Sequence, residues 1–323
     1  MVAGVTNMAK AFASAADTAA KKITFEKLAD GVYAYTAEGD PNSCIIVGDD
    51  GVLVMDAQAT PVMAKRVVKE IRKVTKKPVK YVLLSHYHAV RTLGASGFGA
   101  SDIIMSNATR DLVAERGMQD YKSEADRFPR LFEAIETVPG LTWPSLTFEK
   151  EMTLWMGDRE VRIIHAGRGH TKGDTIVWLP KEKILFAGDL VEAHAALYCG
   201  DAYLTDWPGT LTKLRALKPR KLVPGRGPAA TTPRQCEKAF DQTEGFVRDL
   251  FGGAKHGVKR GWTLKQTFDH TYKKMTSKYG DWAIYEHCIP FNVGRAYDEA
   301  GGLEHPRIWT ARRDKILWKE LQG

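Results

Sequence analysis

At 323 residues the chain can form one large domain with an appended region, and 44% hydrophobic content with mixed charge places it among globular proteins. The formal net charge of +8 is spread over short clusters at 76–80, 218–221, 255–260 and 273–274, none interleaved with a nucleic-acid motif, so no nucleic-acid partner is expected. No apolar run approaches the length of a membrane span, and Cys44, Cys199, Cys236 and Cys288 show neither CxxC spacing nor a disulfide framework, which points to a cytoplasmic protein.

Residues 1–22 lack the continuous apolar stretch of a signal peptide and read as an alanine-rich leader, mobile or helical. From Ile23 to Met55, short apolar runs alternate with glycine and Asp/Asn turns, the signature of hairpins, with Asp56 at a strand end. Pro61 to Val74 is a helix, because Met63, Val67, Ile71 and Val74 recur at helical spacing behind an N-terminal proline. Val79 to Leu84 is a buried strand and Ile103 to Met105 another, followed by a helix from about Arg110 to Met118 that Asn107 or Thr109 can cap. Residues 119–145 form a charged, proline-punctuated insertion. In it Phe128, Leu131, Phe132 and Ile135 trace an amphipathic helix face that either packs on the core or covers a substrate. Phe148 to Ile164 is a hairpin about Gly157-Asp158, and Ile176 to Leu179 and Ile184 to Ala187 make a strand–turn–strand unit. Helical periodicity returns over 233–252, 263–279 and much of 283–320, with Trp262, Trp282, Trp309 and Trp318 among many aromatics. That tail can bury itself on the core, contact a second copy in a homodimer, or wall a ligand pocket.

The chemistry concentrates where strands end. After Val82-Leu83-Leu84, His86 and His88 stand two apart, so in extended backbone both imidazoles point the same way and can share one ion. His170 lies in a glycine-rich turn, HAGRGHTKGDT, and the next strand pair delivers Gly188 and Asp189. A last apolar strand runs into the turn Pro224-Gly225-Arg226-Gly227.

Together these segments, from about Ile23 to Pro228, resemble the metallo-β-lactamase-fold hydrolases, whose members carry a His-x-His-x-Asp-His loop, a Gly-His-Thr turn, a Gly-Asp strand end and a Pro-Gly-His turn. The resemblance implies an α/β fold, a four-layer αββα sandwich over residues 23–230, with 119–145 lying over the site and 231–323 as a helical extension packed on the core. It also implies that His86, His88 and His170 make a first metal site and that Asp189 joins them or bridges to a second ion. The chain departs from the pattern at three places: Val90 and Arg91 stand where the second site needs Asp and His, and Arg226 stands where it needs His.

A second divalent ion would bring two positive charges to Asp189, and two guanidinium groups, Arg91 and Arg226, restore the same charge without a metal. Arginine cannot ligate a cation, because it does not deprotonate in proteins. The expectation is therefore a hydrolase in which one divalent ion activates water as hydroxide against a small anionic or electron-poor substrate, aromatic ones included. Zinc is the first choice, iron or manganese the alternatives. Arg91, Arg226 and Arg168 are candidate substrate-binding groups, Arg91 and Arg226 also serving as ion-pair partners of Asp189 and Arg168 also readable as a solvent-facing side chain. Asp189 either ligates or takes the proton from water, and Tyr87, Asp174 or His194 would have to supply the proton that Val90 cannot. β-Lactam hydrolysis is not expected, since that activity generally leans on the missing second-site residues. The alternatives are a mononuclear iron oxygenase of the persulfide-dioxygenase type and a binding scaffold that has lost catalysis.

Overall fold

The computed structural model describes Ser14 and residues 17–322; the greater part of the leader, residues 1–13, 15 and 16, lies outside the described residues. Two sheets carry the fold. The first holds seven strands in chain order: β1 (Thr24–Ala29), β2 (Val32–Ala37), β3 (Asp40–Val47), β4 (Val52–Met55), β5 (Val79–Leu83), β6 (Asp102–Ser106) and β7 (Leu146–Phe148). The second holds β8 (Glu151–Met156), β9 (Arg159–His165), β10 (Thr175–Leu179), β11 (Ile184–Gly188) and β12 (Lys221–Pro224), ordered β12-β11-β10-β9-β8.

Strand alternation divides the interior into layers. Leu53 and Met55 of β4 and Val177 and Leu179 of β10 meet in one apolar layer between the sheets. Their neighbours Val52 and Val54 face the outer layer under α1 (Pro61–Val74), where Ala64, Val67 and Ile71 pack. On the opposite outer face Ile176 and Trp178 sit under the helices that follow β11. The result is the αββα sandwich, with both faces of each central strand buried.

The expected α1 is found over Pro61–Val74, capped by the Thr60 side chain on the Met63 N–H. The insertion differs from expectation. Helix α3 (Asn107–Arg127) runs nine residues beyond the expected Met118, because nothing in 119–127 breaks it, and it stops before Pro129. Leu131 and Phe132 then lie in a tight 3-10 turn, Pro129–Phe132, that Phe128 directly precedes, rather than on an α-helical face, and all three pack with Val90 and Leu93; Ile135 is exposed. The short α2 (Ala89–Thr92) follows His88 directly.

Beyond β11 come α4 (Trp207–Ala216), α5 (Pro233–Lys259), α6 (Leu264–Tyr279), α7 (Tyr285–Ala300) and α8 (Ala311–Gln322). Phe246, Phe268, Tyr285, Phe291 and Trp309 turn inward and share one apolar cluster with β10, β11 and β12. Among the described residues no helix is long and apolar enough to cross a membrane.

Candidate metal centre

The site forms where parallel strands end, the usual place for ligand groups in α/β sheets. β4, β5 and β6 run parallel, as do β11 and β12, so the segments after β5, β11 and β12 emerge on one side. The His170 turn is tied to the His86 loop by the main chain: Thr175 N–H donates to Ser85 O at 2.8 Å. Within the turn, Thr171 donates through both N–H (2.9 Å) and Oγ1 (2.7 Å) to Asp174.

His86, His88 and His170, each only 1–2% exposed, form a metal-binding triad whose facing atoms lie within 4.8 Å of one another. His170 Nε2 stands 3.2 Å from His86 Nε2 and 3.0 Å from His88 Nδ1. The outer nitrogens fix which lone pairs face inward. Ser85 Oγ donates to Asp56 Oδ2 at 2.9 Å, so it accepts from His86 Nδ1 at 2.9 Å and leaves Nε2 bare. Asp201 Oδ2 accepts from His88 Nε2 at 3.2 Å and leaves Nδ1 inward.

The electrostatics suit a cation. Burial lowers the His170 pKa to about 3 and holds His86 well below its ordinary value, so both are neutral donors. Burial also opposes charge on His88, but Asp120, Asp201 and Glu124 outweigh it and raise it to about 9. The carboxylates behind His88 therefore favour positive charge on that side of the centre, and an imidazole set of this kind suits a divalent transition metal.

Asp189 is divided between two tasks. Its Oδ1 accepts from Arg91 Nη2, while Oδ2 faces the triad at 3.8 Å from both His86 Nε2 and His170 Nε2. Burial alone would raise its pKa, yet Arg91 first, then His170 and Arg226, pull it below the ordinary carboxylate value. Arg91 is fully buried and also donates to Asn42 O (3.1 Å) and Gly225 O (2.8 Å), with Asp56 Oδ2 3.8 Å away. Gly225 is required here, because a Cβ on it would stand 2.2 Å from Asp189 Oδ1. Asp56, with φ of +67°, turns its carboxylate onto Ser85 N–H at 2.9 Å; burial raises its pKa to about 6 despite Arg91.

The remaining sequence candidates are placed as follows. Arg226 is buried beside the centre, but its Nη1 donates to Gly39 O at 3.0 Å and its N–H to Glu192, with no hydrogen bond to Asp189. Arg168 stands apart from the triad, half-exposed, bonded to Asp206 (2.5 Å) and Glu304 (2.8 Å) over the ring of Tyr203. Tyr87 lies behind His88, ring centroids 4.5 Å apart, and lines a small cleft with Arg116 and Asp201. Asp174 organises the His170 turn, and His194 is exposed beside Gln242.

Sequence reasoning missed Asp201, which receives Arg116 Nη1 at 2.9 Å as well as His88. It also missed Asp120 and Glu124, which accept from the Ala89 (2.7 Å) and Val90 (3.3 Å) N–H groups and so cap α2. Asp201 follows a plain Cys-Gly pair and carried no signal. Arg116, Asp120, Glu124 and Arg127 did: charged residues at helical spacing share one face of α3, and that face is the buried one.

The metallo-beta-lactamase superfamily model matches residues 37–226. The chain is 26% identical over 204 residues to a metallo-beta-lactamase type 2 of Pseudomonas aeruginosa, covering 60% of this chain and 73% of that protein. It is 24% identical over 218 residues to the type 2 enzyme of Bacteroides fragilis, covering 64% and 79%. Among solved structures, a metallo-beta-lactamase from Pontibacter korlensis superposes with a TM-score of 0.55 at 22% identity, covering 70% of this chain and 99% of that one. A stereoselective inverting sec-alkylsulfatase from Pseudomonas sp. superposes at 0.67 and 15% identity, covering 86% of this chain and 50% of that one.

Proposed function

Because this chain belongs to the metallo-beta-lactamase superfamily, we propose that it is a hydrolase working with one divalent ion, zinc by preference, in which Arg91 replaces a second. The observation that carries this reading is the buried pairing of Arg91 with Asp189 Oδ1, at positions where the sequence has no second set of ligands. When bound, a divalent ion polarises its ligands and lowers the pKa of water from 15.7 to about 7.

His86 Nε2, His88 Nδ1 and His170 Nε2 would hold the ion, with Asp201 and Ser85 fixing the first two rings. Asp189 Oδ2 would join them or accept the proton of the attacking water; its distance of 3.8 Å from His86 and His170 and its pairing with Arg91, which favours the ionised carboxylate, support that reading. Arg91 and Arg226 keep the pocket positive without a second metal, which favours a small anionic or electron-poor substrate, aromatic ones included. Val90 offers no proton, so the reaction suits a substrate with a good leaving group. Four free, buried cysteines support a cytoplasmic setting.

The test is turnover of a panel of activated aryl esters, aryl sulfates and electron-poor aryl halides by metal-stripped protein, before and after one equivalent of zinc. The expected result is activity restored by zinc with no dioxygen consumed. Turnover that requires ferrous iron and consumes dioxygen would replace the hydrolase reading with an oxygenase.

A further inference from the structure

Arginines crowd the centre, and the terminal nitrogens of most of them are engaged, although Nε of Arg91 and of Arg116 is left unmet. Arg91 serves Asp189, Asn42 O and Gly225 O; Arg116 serves Asp201 and Glu115; Arg226 holds Gly39 O. Arg127, the last residue of α3, differs. It is fully buried, its Nε reaches Ser123 O and Asp314 Oδ2 at 3.4 Å each, and among the described residues neither Nη1 nor Nη2 has a hydrogen-bond partner.

Its surroundings point toward the metal-binding triad. The guanidinium lies 4.3 Å from the ring centroid of Phe291 and 5.3 Å from that of Tyr198. The Tyr198 ring is in turn 5.5 Å from His88 and 6.5 Å from His170, and its hydroxyl is buried without a partner. Two unused N–H₂ groups and an unused hydroxyl therefore sit one aromatic ring away from the metal centre.

Stacking on Tyr198 and Phe291 accounts for the faces of the guanidinium and leaves its N–H edges unmet. A cation with unmet donors in a protein interior is unfavourable unless something completes it. Asp314, Asp120 and Glu124 keep the group charged but offer no bond to Nη1 or Nη2. A two-oxygen anion matches that free edge.

We infer that Arg127, assisted by the Tyr198 hydroxyl, is the oxyanion subsite of this enzyme, taking the carboxylate or sulfur oxyanion of a substrate. The inference rests on the hydrolase reading for its role in turnover, and it moves anion recognition from Arg91 and Arg226 to a residue of the insertion.

Calorimetric titration with benzoate, benzenesulfonate and inorganic sulfate tests binding separately from catalysis, and the three probes separate a carboxylate site from a sulfur-oxyanion site. Wild type should bind at least one of them, and His88→Ala, stripped of metal, should still bind it. Arg127→Gln should weaken that binding by about 10- to 100-fold, the scale of a lost charge-assisted pair. Arg127→Lys should weaken it several-fold, and Tyr198→Phe a few-fold. Arg127→Lys keeps the charge beside Asp314 and Tyr198→Phe removes only a hydroxyl, so both guard against a folding defect. Binding undiminished in these two variants, or no binding of any probe to wild type, would overturn the subsite whether or not the enzyme hydrolyses esters.

Discussion

Replacing Arg91 with methionine removes a buried cation whose absence nothing nearby can make good. Asp189 loses its Oδ1 partner, Asp56 loses the charge 3.8 Å away, and the Asn42 and Gly225 carbonyls each lose a donor. Breaking one side of a buried ion pair costs about 3–5 kcal/mol, because the surviving charge is left desolvated. At a urea slope of roughly 3 kcal/mol/M for a chain of this size, the unfolding midpoint of metal-stripped protein should fall by about 1–1.7 M. The double variant Arg91→Met/Asp189→Asn removes the stranded charge and should recover at least about 2 kcal/mol of that loss. Metal-stripped protein is the right material, since Asp189 is also a candidate ligand. A single-variant loss under about 0.5 kcal/mol, or a double variant no more stable than Arg91→Met, would refute a compensating ion pair at this position.

Asp201→Asn should weaken metal affinity by about 10- to 100-fold in chelator competition, because it loosens the hold on His88 without removing a ligand; unchanged affinity would count against its role. The same carboxylate, pulled to about 2 by His88 and Arg116 against burial, contributes stability above its ordinary 3.8 and loses that contribution as pH falls toward 2. Asp174 has the opposite sign. Burial raises it to about 7, so its neutral form stabilises the metal-stripped fold below 3.8, and up to about 4 kcal/mol is lost as pH rises to about 7. Asp174→Asn should flatten that slope in urea titrations across pH 4–7; an unchanged slope would assign it elsewhere. Gly225→Ala, whose Cβ would meet Asp189 Oδ1 at 2.2 Å and its Cα at 2.9 Å, should destabilise by about 1–3 kcal/mol and lower Tm, whereas an unchanged Tm would mean that the turn yields freely.

Some of this was legible in the residue order and some was not. Apolar runs ending in His86, Asp189 and Arg226 disclosed strands and their exits, because buried parallel strands are continuous apolar segments followed by polar loops. Spacing disclosed the His86/His88 pair, and the family resemblance joined His170 to it. The destination of each arginine did not, because five donors on a long stem can reach partners that sequence order does not reveal: Arg226 turned to Gly39 O and Arg168 to Asp206 and Glu304. The supports behind the metal loop were equally hidden, for Asp120 and Glu124 come from α3 and Asp201 lies 113 residues beyond His88. Aromatic residues at 128–132 suggested a helical face, yet the chain leaves helical geometry at Glu133 and only a 3-10 turn forms over Pro129–Phe132.

Metal stoichiometry bears on all of it. Protein saturated with excess zinc, freed of unbound ion and measured by elemental analysis should contain one zinc per chain, falling toward zero in His88→Ala. Two zinc ions per chain in the wild type would contradict the replacement of a second ion by Arg91, since a guanidinium bonded to Asp189 and an ion sharing that carboxylate cannot occupy the same space.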